Sequence, residues 1–105
     1  MIFIETPIFT EEIQKYLKDD EYKEFQTVLL IRPEAGDLIK GSGGLRKNRW
    51  KIKGSGKRGG LRIIYYWDEP EDTIYLLYPY LKTKKEDLSQ KEIKILSNLV
   101  KEYIK

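Results

Sequence analysis

Residues 41–67 read GSGGLRKNRWKIKGSGKRGGLRIIYYW, and this stretch sets the terms for the rest of the chain. It contains two runs with strand chemistry, Leu45–Ile52 and Leu61–Trp67, joined by Lys53-Gly54-Ser55-Gly56-Lys57-Arg58-Gly59-Gly60. The second run is β-branched and aromatic, which suits a central strand. No acidic residue occurs between Asp37 and Asp68, whereas nine bases do: Lys40, Arg46, Lys47, Arg49, Lys51, Lys53, Lys57, Arg58 and Arg62. A hairpin with this charge attracts a polyanion, and its glycines let backbone and phosphate approach closely. The bland alternative is a solubilising basic hairpin, but ordinary surface mixes both signs of charge.

Upstream, Met1–Glu5 reads as a short first strand. Thr6 is placed to cap a helix with Pro7 at its first position, where the missing N–H is harmless. Phe9, Ile13, Tyr16 and Leu17 recur at helical spacing. Asp19-Asp20-Glu21 interrupts that helix and opens a second, with negative charge where the dipole favours it. Tyr22, Phe25, Val28 and Leu29 are its expected inner stripe, and Pro33 ends it. Residues 34–44 are expected to form a loop, with Leu38 and Ile39 as anchors. Downstream, Asp68–Asp72 is a turn and Thr73–Tyr80 a last strand, in which Pro79 is tolerable only near the end or beside a bulge. Ser89 and Glu92 form a capping box for a helix with Ile93, Leu96, Val100 and Tyr103 on one face. The order β-α-α-β-β-β-α predicts an α+β fold: a mostly antiparallel sheet, an N-terminal helical hairpin on one face, and a C-terminal helix.

The chain has 105 residues, the size of one domain (residues 1–105) with one core. Its charge is segregated: residues 1–37 carry a net −5, residues 38–67 a net +9, and residues 68–105 a net −1. There is no cysteine and no histidine. Disulfides, thiolate metal sites, the usual general base and every Ser–His or Cys–His arrangement are thereby excluded. The apolar runs are too short to span a membrane, and no signal-peptide pattern opens the chain, so a cytoplasmic protein is expected.

Arg and Lys interleaved with Tyr and Trp on a sheet describe a nucleic-acid surface, with cations for phosphates and rings for unpaired bases. Cleavage of RNA by 2′-OH attack would need a base, cations on the phosphoryl oxygens, and an acid for the departing 5′-oxygen. Without histidine those roles fall to Lys, Tyr or a carboxylate, or to electrostatics alone. Clustered lysines depress one another's pKa, which makes a neutral lysine base conceivable. Arg62, fixed on a strand, suits bidentate phosphate contact.

The stretches GDLIKGSGGLRK and GKRGGLRIIYYW resemble the RelE/HigB-like toxins of bacterial type II toxin–antitoxin systems, most closely the HigB branch. The order of elements agrees over nearly the whole chain. The resemblance implies a small RelE-like fold and an endoribonuclease that enters the ribosomal A site. It cuts mRNA there without metal or other cofactor, and is held inactive by a cognate antitoxin, expected to be of helix-turn-helix type. Carried over by position, it implies catalytic roles for Arg62 at the phosphoryl group, Lys53 in charge stabilisation or as base, Lys57 in the basic loop, and Tyr80 and Lys82 after the last strand. Arg46, Lys47, Arg49, Arg58, Lys84 and Lys85 are then the RNA-binding set. Relatives often place an arginine or a histidine where this chain offers Lys82, Lys84 and Lys85. The rival expectation is a non-enzymatic toxin or binding protein of the same fold, such as a ParE-like gyrase inhibitor or an RNA-binding module.

Overall fold

In the computed structural model, which describes residues 1–53 and 60–104, the chain runs β1 (Ile2–Glu5), α1 (Pro7–Ile13), α2 (Asp19–Ile31), β2 (Asp37–Leu38), β3 (Leu45–Lys51), β4 (Gly60–Asp68), β5 (Thr73–Leu81) and α3 (Gln90–Tyr103). The strands form one sheet in the order β1-β5-β4-β3-β2. Only the β1–β5 pairing is parallel. The expected fold class holds, with one added element: Asp37–Leu38, read as loop, pairs with β3 as a two-residue edge strand.

Strand β4 divides the molecule, because successive side chains point to opposite faces. Leu61, Ile63 and Tyr65 pack with Phe9, Ile13, Phe25 and Leu29 of the helical hairpin. Ile64, on the other face, packs with Leu45, Leu77, Ile93, Leu96 and Val100. Helices therefore cover the sheet on both sides. The α3 capping box forms as expected, with Glu92 N–H donating to Ser89 Oγ and Ser89 N–H to Glu92 Oε1.

Two apolar anchors fall elsewhere than expected. The buried row of α2 is Glu21, Phe25 and Leu29, an i, i+4 line that leaves Val28 on its border and 37% exposed. Leu38 lies on the edge strand and is 62% exposed, while Ile39 reaches the α3-side core. Tyr65 is fully buried and ties the 33–36 segment to the sheet: its hydroxyl donates to Pro33 O (2.7 Å) and accepts from Gly36 N–H (2.8 Å).

Strand β5 carries the feature that positions the site. Tyr65 pairs with Leu76 but Ile64 pairs with Tyr78, so Leu77 is the extra residue of a β-bulge. Pro79 follows it directly, where a missing donor is tolerated. The bulge shifts the strand's phase: Ile74 and Leu76 face the hairpin, whereas Tyr78 and Tyr80 join the α3-side core. The Leu77 carbonyl accepts from Thr6 Oγ1 at 2.8 Å, and the same oxygen caps α1 by accepting from Phe9 N–H at 3.1 Å.

Thr6→Val keeps the shape and removes both bonds, leaving a buried carbonyl without a donor and a helix without its cap. We expect a loss of about 2 kcal/mol, read as a lower urea midpoint at unchanged m-value.

Candidate nucleic-acid interface

Arg49, Arg62 and Tyr80 stand opposite one another on β3, β4 and β5, one cross-strand row on the face that α3 only partly covers. Lys47, Ile64 and Tyr78 form the next row. The row on the other side is Lys51 opposite Gly60, with Lys82 N–H donating to Gly60 O at 2.9 Å. Gly60 has to be small: a Cβ there would sit 3.2 Å from Arg62 Nη1 and 3.3 Å from Lys82 Cβ. Its missing side chain lets the guanidinium and the Lys82 stem lie side by side.

Three cations around this row carry a counterion. Lys47 Nζ meets Asp87 Oδ1 at 2.7 Å, Arg49 meets Asp37, and Lys85 meets Glu92. Lys47 is largely enclosed, its side chain 15% exposed, whereas Asp87 is 72% exposed. The Lys47 hydrogen bond and charge, with Arg49 and Arg62 behind them, hold the Asp87 carboxyl below its ordinary value. Arg62 and Lys82 make no ion pair among the described residues.

Tyr80 is 3% exposed, and its hydroxyl has no hydrogen-bond partner among the described residues. Its ring stacks on Tyr78 with centroids 6.0 Å apart, and Lys85 Nζ lies 5.9 Å from the Tyr80 centroid. Burial, with the Asp87 charge second, raises the phenol's pKa against the pull of Arg62 and Arg49. Tyr80 is thus a protonated donor with its bond unused. It borders a cleft of about 170 Å³ together with Lys40, Lys47, Asp87 and Leu88.

Other residues singled out by sequence lie away from this row. Arg46 stands opposite Tyr65 on the hairpin side, and its guanidinium donates to Gly36 O (2.8 Å) and Glu34 O (3.2 Å). That makes it a clasp for the 34–36 segment. Lys53 Nζ is 2.7 Å from Glu24 of α2, and the Glu24 hydrogen bond and charge raise its pKa. A raised pKa is the opposite of what a neutral lysine base requires. Lys84 is exposed on the segment after β5. Lys57 and Arg58 lie outside the described residues.

Sequence reasoning missed the acids. Asp37 and Asp87 sit 12 and 40 residues from Arg49 and Lys47, and Glu92, seven residues from Lys85, was legible only as part of its capping box. Among the described residues, no group of three or more Asp or Glu could hold a metal ion, and no helix is long and apolar enough to cross a membrane.

Comparison with solved structures supports the fold. A double arginine-to-alanine variant of the Escherichia coli toxin RelE in the free state is similar with a TM-score of 0.59 at 16% identity, over 81% of this chain and 86% of that one. The toxin–antitoxin complex RelBE of E. coli gives a TM-score of 0.54 at 18% identity, over 74% of this chain and 92% of that one. The family model described as "RelE toxin of RelE / RelB toxin-antitoxin system" matches residues 8–105. The chain therefore belongs to the RelE toxin family of RelE/RelB toxin–antitoxin systems.

Proposed function

We propose that this toxin is a metal-independent endoribonuclease that cuts mRNA in the ribosomal A site and so stops translation. The observation that carries the reading is the Arg49–Arg62–Tyr80 row with Lys82 beside it over Gly60. Attack by a 2′-oxygen makes the phosphoryl group a crowded dianion, and fixed cations stabilise that charge without reorganising. Arg62 and Lys82 lie side by side over Gly60, make no ion pair among the described residues, and take the non-bridging oxygens. The Tyr80 hydroxyl, protonated and unbonded, takes the hydrogen-bond donor role once RNA opens the cleft that it borders. The 2′-O–P bond forms as the P–O5′ bond breaks, leaving a 2′,3′-cyclic phosphate; the 5′-oxygen takes its proton from water, and the 2′-oxygen proton leaves to water or to a neutral Lys57. Lys53, held charged by Glu24, contributes electrostatics only.

The paired GSGGLRK and KRGGLRIIYY stretches favour the HigB branch of the family. The partner in the resting cell is a cognate antitoxin of helix-turn-helix type, and both act in the cytoplasm. A gyrase-inhibiting relative would have no use for a bare arginine beside an unbonded phenol, and that distinguishes the two readings.

Arg62→Ala should lower single-turnover cleavage on programmed ribosomes by about 10²- to 10³-fold, by analogy with the loss of one preorganised donor. The variant should keep its thermal midpoint, because Arg62 makes no ion pair among the described residues. Full cleavage by a folded Arg62→Ala protein removes the residue from the reaction.

The pH profile follows from the directions of the shifts. Tyr80, Lys53 and Lys85 are raised, so they stay protonated up to and beyond about pH 10. Asp87 and Glu92 are lowered, so they stay ionised down to about pH 4. Cleavage should rise with pH and show no falling limb below about pH 9. A bell centred near neutrality would require an acid that this set does not contain.

Expression without the antitoxin should arrest growth, and co-expression with the helix-turn-helix partner should restore it and yield a stable complex. Harmless expression of the toxin alone contradicts the proposal.

A further inference from the structure

Beyond the Arg62 row, on the far side of Ile93, a larger cleft of about 500 Å³ opens between α3 and the Gly41–Gly44 turn. Gly41, Gly43, Lys94, Asn98 and Lys101 are among its lining residues, and none of its lining residues is acidic. Lys94 and Lys101 are one heptad apart on α3, so both project to the same side. Neither has an acid within 4.0 Å among the described residues. This sets them apart from Lys47, Arg49 and Lys85, each already neutralised.

The turn supplies the second half of the site. Gly41, Gly43 and Gly44 have φ of 71°, 73° and 113°, while Ser42 between them stays out of the positive-φ region. The alternating φ signs over Gly41–Gly43 are the backbone pattern from which anion-binding nests are built, with the Ser42 N–H itself taken up, donating to Ile39 O at 3.3 Å, and the glycine amides on either side left over. Only Ser42 is committed to holding the turn: its hydroxyl donates to Ile39 O (2.5 Å) and accepts from Leu45 N–H (3.0 Å), and its carbonyl accepts from Ser97 Oγ on α3 (2.6 Å). The amides of Gly41, Gly43 and Gly44 have no partner among the described residues. A Cβ built on Gly41 or Gly43 meets nothing within 4 Å, so both face open space. The turn is thus fastened to the helix at one residue and bare at the others.

We infer that this cleft is a second phosphate-binding subsite, which grips a phosphodiester of an RNA strand whose reacting phosphate lies at Arg62. The inference rests on the nuclease reading for its ligand. The lining offers cations, backbone amides and the carboxamides of Gln90 and Asn98 but no aromatic ring, so it holds the backbone rather than stacking on a base. Ile93 lines both clefts, so they lie side by side and a strand held at one reaches the other.

The test is binding of a short 2′-O-methyl RNA, followed by fluorescence anisotropy over a range of salt. Such a strand lacks the attacking hydroxyl and cannot be cut. Lys94→Ala/Lys101→Ala should weaken binding by about tenfold at low salt and reduce the slope of log Kd against log salt by about 1.4, two contacts at about 0.7 each. The control pair Lys18→Ala/Lys23→Ala removes the same charge from the hairpin face, and its binding should stay within about twofold of the wild type. Equal losses in the two double variants would reduce the effect to net charge and overturn the subsite. So would a cleft variant that binds as the wild type does. A Lys94- and Lys101-dependent grip in a protein that cuts nothing on ribosomes supports the cleft and sinks the nuclease reading, so the two can fail separately.

Discussion

The candidate site depends on one extra residue in β5. Without Leu77 as a bulge, Tyr78 and Tyr80 would continue the phase of Ile74 and Leu76 and point into the helical hairpin. With it, both rings turn to the α3 side, and Tyr80 comes opposite Arg62. A bulge leaves backbone groups unmatched, and here the Leu77 carbonyl is satisfied by Thr6 Oγ1. That oxygen also begins α1. The local irregularity that aims the phenol is thus secured by the first turn of the hairpin on the opposite face, and changes in either element reach the other.

Around that row, charge is arranged by how easily it can be uncovered. Lys47 is enclosed but its partner Asp87 is largely in water, and pairs of that kind contribute little to stability because solvent screens them. An incoming phosphate can replace Asp87 at small cost while the lysine stays in place. Arg62 lies beyond such pairing, next to the stem of Lys82 and over a glycine that leaves room for both.

The fold was legible because its evidence is local. The alternation of β4, the capping box at Ser89 and Glu92, the Thr6–Pro7 start and the proline stop are all written within a few residues. The site was only partly legible. Clustering of bases pointed to the segment that carries Arg49 and Arg62, but residue type does not say which face a strand residue occupies. Arg46 and Arg49 read alike in sequence, yet strand phase sends one to the carbonyls of Glu34 and Gly36 and the other to the row with Arg62. The phase of Tyr80 depends on a bulge that Pro79 hinted at without locating. The counterions were invisible because they are contacts between distant parts of the chain, Lys47 with Asp87 and Lys53 with Glu24.

The segregated charge acquires its meaning from the layers. The acidic first third of the chain supplies the hairpin, which covers one face of the sheet, while the basic centre supplies the strands. Two bases directed toward that hairpin side are held there, Arg46 by carbonyls and Lys53 by Glu24. The bases in phase with Arg62 keep either an exposed counterion or none, apart from the few whose surroundings nothing here describes. A polyanion approaching such a body is repelled by one face and drawn to the other over distances of about a Debye length, roughly 8–10 Å at cellular salt. Orientation is therefore settled before contact. On the proposed function, that draws an RNA strand to the side where Arg62 and Tyr80 stand and leaves the short-range contacts to fix its register.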